Sequence, residues 1–128
     1  MEEQKNQVVE SIYRLREQIR WKPGSGIRHL NKRIELGHLE DTATITSYET
    51  LITRVVTDSN AAVFLYRWGE AQYPTIVAEI EGVRWLVMVG LDGIMETAFP
   101  PDDPEDYLAN PRFTYLGTLN QITRDSYT

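Results

Sequence analysis

The chain predicts an α+β fold: two to three N-terminal helices packed on a four-stranded antiparallel β-meander, followed by a short C-terminal helix or strand. Three observations carry this. Apolar residues recur at helical spacing up to about residue 58, then form strand-like blocks between 61 and 99. The blocks are joined by turns too short for crossovers, so neighbouring strands must run antiparallel.

Residues 3–20 form the first expected helix, because Val8, Ile12, Leu15 and Ile19 step by four, three and four along one face. "KPGSG" at 22–26 breaks it, since proline cannot continue a helix and the glycines favour loops. "IRHLNKRIEL" then makes a second helix that stops at Gly37. A third is expected from "TSYE", with Thr46 as cap and Glu49 completing a capping box, ending near Asp58. "AAVFLYRW", "PTIVAEI", "VRWLVMVGL" and "IMETAF" read as four strands, the third central. Glu81-Gly82 and Asp92-Gly93 mark tight hairpins, the second of type I′. Asp103, Pro104, Glu105 and Asp106 start a short helix, and residues 112–122 fit either a strand or a helix.

With 128 residues, 41% of them hydrophobic and 25% charged, the chain is expected to be one domain. Within it, 1–21 is an amphipathic helix, 27–101 the core and 102–128 an acidic extension. No apolar run reaches membrane-spanning length, and "MEEQKNQ" is too polar for a signal peptide, so a cytoplasmic location is expected. The absence of cysteine excludes disulfides, thiolate metal sites and a cysteine nucleophile. No Gly-x-Ser-x-Gly motif is present, which argues against a serine hydrolase.

The net charge of −6 opposes indiscriminate nucleic-acid binding. It is unevenly distributed. Residues 14–33 hold seven cations and one acid, whereas 34–128 hold five cations and fifteen acids. An anionic ligand would therefore meet its complement in the first third of the chain. There, helical periodicity sets His29, Lys32 and Arg33 on neighbouring positions of one face, apart from the apolar stripe of Ile27, Leu30 and Ile34.

"HLNKR" at 29–33, on a helix ahead of an antiparallel sheet, and the closing hairpin "GVRWLVMVGLDGIMETAFPP" at 82–101 resemble the barnase–EndoU–colicin–RelE group of small ribonuclease-like domains. The resemblance spans about residues 27–101. It implies a toxin-type domain that cleaves RNA without metal or cofactor, with His29, Arg33 and Thr97 as catalytic residues. Lys32, Arg84 and Arg28 would then bind substrate. The chemistry asks for a proton acceptor at the 2′-hydroxyl, a donor at the leaving oxygen, and cations against the phosphorane charge. An imidazole titrates in the right range, and a guanidinium matches phosphate geometry. Glu96 and Glu79 are the remaining acid–base candidates.

Each residue also has a structural reading. His29 can be a surface histidine on a polar helix face, and Thr97 an ordinary strand residue. His38 follows the helix stop at Gly37, where it helps satisfy helix carbonyls. "HLED" at 38–41 lacks a recognised metal spacing, so no metal is expected. "GSG" at 24–26 reads as a linker rather than an anion loop. The alternative function is a non-catalytic domain of the same fold, binding a protein partner or a second copy through its N-terminal helix.

Overall fold

The computed structural model describes residues 2–125. Three helices, α1 (Glu2–Glu17), α2 (Ser25–Glu35) and α3 (Ile45–Val56), precede the strands β1 (Ala62–Trp68), β2 (Ala71–Ile80), β3 (Val83–Val89) and β4 (Met95–Phe99). A short helix α4 (Pro104–Leu108), a fifth strand β5 (Phe113–Thr118) and α5 (Leu119–Asp125) follow. The architecture is α+β, with one antiparallel sheet in the order β4-β3-β2-β1-β5.

The meander β1 to β4 forms as the turn chemistry requires; β3 is an inner strand between β2 and β4, but β2 is the centre of the complete five-stranded sheet. The segment that fits both periods uses both. Residues 113–118 pair with β1, and 119–125 coil into α5, whose Leu119 and Ile122 join the core. The first hairpin turn is tight, as expected, and the second differs from expectation. Glu81 and Gly82 both have positive φ, 52° and 81°, the signature of type I′. At Asp92-Gly93 only Gly93 is positive, and Gly90 N–H donates to the Ile94 carbonyl while Gly93 N–H donates to Gly90. That is a three-residue loop, and its glycine also lets α1 approach: a Cβ on Gly93 would lie 3.1 Å from that of Arg14.

The core lies between the helices and one face of the sheet. Val8, Ile12 and Leu15 of α1, with Tyr48, Ile52, Val55 and Val56 of α3, are buried against Val63, Leu65, Ile76 and Val87. The stripe of α1 is thus covered by its own chain and is not a free surface for a partner. The α3 cap falls at Thr44, not Thr46: Thr44 and Ser47 exchange the reciprocal bonds of a capping box. Two residues of drift suffice, because the "TATITS" run offers a hydroxyl at several adjacent positions. No helix of the described residues is long and apolar enough to cross a membrane.

Two departures in the first third of the chain position the site. Helix α1 ends at Glu17, and Arg20 instead forms a parallel bridge to Ile94, its carbonyl accepting from Met95 N–H at 2.8 Å. This bridge pairs the start of the β4 edge and leads the chain to Trp21, which packs on Tyr48. Helix α2 begins at Ser25 rather than Ile27, so "GSG" is not a linker but the helix cap and first turn. Gly26 is required there, since a Cβ would sit 3.0 Å from the Trp21 ring.

Candidate functional site

Helix α2 runs beside β4, the edge strand, and the two match in length. One helical turn, i to i+4, advances about 6 Å, and two strand residues advance about 6.7 Å. His29 and Arg33 on α2 therefore meet Thr97 and Phe99 on β4 in register. His29 Nδ1 is 3.5 Å from Thr97 Oγ1, at the outer limit of a hydrogen bond. The Arg33 guanidinium carbon lies 5.5 Å from the centre of the Phe99 ring. Opposite β4 the ladder shifts between Met88 and Val89, so that Glu96 is the extra residue of a bulge. Such bulges re-aim side chains, and here Glu96 faces α2 and pairs with Lys22 at 3.8 Å.

The imidazole is held from behind. Trp21 stacks on His29 with centroids 5.7 Å apart and on Tyr48 at 5.8 Å, and its indole N–H donates to Glu49 at 2.9 Å. Tyr48 in turn donates to the carbonyl of Ala98 at 2.5 Å, tying α3 to β4 beside Thr97. Burial raises the Tyr48 pKa to about 12, so the phenol stays a donor throughout the physiological range.

Arg33 is the unusual member. It is only 7% exposed, its Nε has no hydrogen-bond partner, and it takes part in no ion pair among the described residues. Arginines are almost never fully buried without an acid, so here the charge is left unneutralised by any acid among the described residues. Its burial lowers its pKa, with Tyr48 opposing. The His29 pKa is also lowered, first by burial, then by Arg28 and Arg33, against Glu96. A neutral imidazole at pH 7 is the form able to accept a proton.

The other candidates divide. Arg28 is exposed but close enough to act on His29 electrostatically, whereas Lys32 points away to Glu35 at 4.0 Å. Arg84 is not brought to the site. It pairs in register with Glu79 and lines a separate pocket with Asp58, Phe64 and Leu108. It lies four residues along β3 from Met88, the partner of Thr97, or roughly 13 Å. Glu79 is removed with it.

The basic stretch 14–33 is dispersed rather than gathered. Arg14 binds Glu10 and the Asp92 carbonyl, and Arg16 donates to the carbonyl of Val56 at the end of α3. The expectation of one cationic face shrinks to Lys22, Arg28 and Arg33.

His38, expected to help satisfy the carbonyls at the helix end, does so through its backbone: its N–H donates to the Arg33 carbonyl at 2.8 Å. Its side chain does something else: Nδ1 is buried without a partner, and the ring lines a pocket of about 340 Å³ with Arg33 and Phe99. The "FPP" at 99–101, which ends β4 and leaves it, is the sequence signal for this pocket, a rigid apolar wall beside a helix end. Among the described residues no three His, Asp or Glu side chains gather at metal-binding range. Comparison with protein-family models, with curated proteins and with solved structures returns no match for this chain.

Proposed function

We propose that the chain is a small cytoplasmic ribonuclease-like domain of the toxin type, cleaving RNA by acid–base chemistry at the α2–β4 edge. The observation that carries this reading is Arg33: a buried guanidinium with no acid partner, one helical turn from a histidine that meets a threonine. With Nδ1–H directed at Thr97, the free Nε2 of His29 takes the 2′-hydroxyl proton. The 2′-oxygen then attacks phosphorus, charge gathers on the phosphorane beside Arg33, and the 5′-oxygen departs with a proton from solvent. Arg28 adds long-range attraction for the strand.

Burial of the α1 stripe weakens the alternative of a domain that docks partners through that helix. The test is cleavage of total RNA and tRNA by the purified chain in the presence of EDTA. His29→Ala is expected to lower the rate by about 10²–10⁴, the usual contribution of a positioned acid–base group. A folded wild-type protein that leaves RNA intact, or a His29→Ala variant as active as wild type, would overturn the reading.

A further inference from the structure

The pocket at the end of α2 is lined by two side chains, Arg33 and His38, each with a buried polar atom that the described chain leaves unsatisfied. Arg33 Nε and His38 Nδ1 are both shut off from solvent, and neither makes a hydrogen bond. Both residues line one pocket, which brings an arginine with no acid partner among the described residues and an imidazole to the same space. The space itself is about 340 Å³, which is more than a single small anion fills and at the lower end of roughly 300–1,000 Å³ for organic-ligand pockets.

Its walls are of two kinds. Arg33 and His38 form the polar side. Leu36, Phe99, Pro100 and Pro101 form the apolar side, and Pro100 is buried and rigid. The Phe99 ring and the two proline rings offer apolar surface against which a base of any sequence can pack. A guanidinium and an imidazole donor fit phosphate oxygens. Asp102 completes the lining at an exposed position. Its carboxylate repels a bare dianion, so a phosphate gains most here when the attached nucleoside also covers the apolar wall.

We propose that this pocket is a nucleotide subsite, taking one nucleoside monophosphate unit of an RNA strand with its phosphate against the Arg33 guanidinium and the His38 imidazole and its base against Phe99, Pro100 and Pro101. The biological setting of this subsite rests on the ribonuclease reading, which it deepens by placing the nucleotide next to the cleaved bond. His38 responds to its neighbours in the expected sense. Burial and Arg33 lower its pKa while Asp102 raises it, so an arriving phosphate adds to Asp102 and draws the ring toward imidazolium.

The experiment is an NMR titration of the whole chain with uridine 3′-monophosphate, uridine and inorganic phosphate, following the resonances of both imidazoles. The nucleotide is expected to shift the His38 signals and to bind at least tenfold more tightly than either fragment. His38→Ala should weaken it about tenfold, and Arg33→Lys, which keeps the charge but loses the planar fork, should also weaken it while the spectrum stays that of a folded chain. Inorganic phosphate binding as tightly as the nucleotide, no shift at His38, or equal nucleotide affinity in His38→Ala would each overturn the proposal. The two readings fail separately. Nucleotide binding that depends on His38 in a protein unable to cleave RNA sustains the subsite and removes the catalysis, whereas RNA cleavage with an unchanged KM in His38→Ala removes the subsite alone.

Discussion

The two faces of the sheet are built from different materials. The inner face is aliphatic and closed: Val63, Leu65, Ile76 and Val87 are wholly buried beneath α1 and α3. The outer face has a small buried centre, Val77, Leu86 and Met88, ringed by half-exposed aromatics. Phe64 meets Phe113 and Tyr115 edge-on, Tyr66 lies 4.7 Å from Phe113, and Tyr107 of the short α4 bridges Phe113 and Phe99. Aliphatic packing under helices fixes position, whereas a rim of rings tolerates small shifts. The site occupies the seam between them. Tyr48 anchors β4 from the inner side, and Phe99 carries the Arg33 contact while belonging to the outer cluster.

The largest effects should come from the inner face. Ile52→Ala is expected to cost about 2–5 kcal/mol, since a fully buried side chain leaves both lost transfer energy and a cavity. Phe64→Ala on the rim should cost less, about 1–2 kcal/mol, because the ring is only partly buried and its neighbours on the open face can close over the gap. Urea denaturation of the two variants measures this directly. Equal losses would mean that the outer face is as tightly specified as the inner one.

Tyr48→Phe comes next, at about 1–3 kcal/mol, because it leaves the buried Ala98 carbonyl without its donor. The same bond sets a pH limit. The folded pKa of Tyr48, about 12, lies above the ordinary value of 10, so the folded state holds the proton more tightly. Its contribution is complete below pH 10 and is lost as pH rises toward 12. Tyr48→Phe should flatten that alkaline decline in a thermal denaturation series, and a decline of unchanged slope would assign it to other groups.

How much of this was legible in the sequence follows the same division. The inner core and the meander could be read because burial there imposes strict periods on Val8, Ile12 and Leu15 and on the strand blocks. Residues 112–122 could not be resolved, since one stretch serves first a period of two and then one of 3.6. Gly26 looked like loop material because its reason, the Trp21 ring, is a tertiary contact. The meeting of His29 with Thr97, 68 residues away, was suggested by a resemblance and not by spacing. Burial of Arg33 and the orphaned ring atom of His38 leave no trace in sequence, where arginine reads as solvated and a histidine after glycine reads as a cap.

A smaller effect concerns the seam itself. Both histidines have folded pKa values below the ordinary 6.5, each first because of burial. The unfolded chain therefore binds protons before the folded one does. Their contribution is complete above pH 6.5 and is lost as pH falls through the lower folded values. Melting temperature should accordingly drop between pH 7.5 and 5.5, and His29→Gln should remove part of the drop. A melting temperature that holds or rises on acidification would mean that the folded protein favours the imidazolium forms.

The smallest expected effect is also the most discriminating for the location of the site. Arg84 alternates along β3 with Trp85, opposes Glu79, and opens onto the rim pocket beside Asp58 and Leu108. It is exposed and makes no ion pair among the described residues. An exposed substitution away from caps, cavities and networks changes stability by no more than about 0.5 kcal/mol. Arg84→Ala should therefore leave both stability and RNA cleavage close to wild type, while Arg28→Ala, which removes a charge that acts on His29, should weaken cleavage and reduce its salt dependence. The reverse pattern, with Arg84→Ala impaired and Arg28→Ala unaffected, would move the RNA from the α2–β4 edge to the aromatic rim, where Phe64 and Tyr115 would become the stacking surface and His29 a bystander.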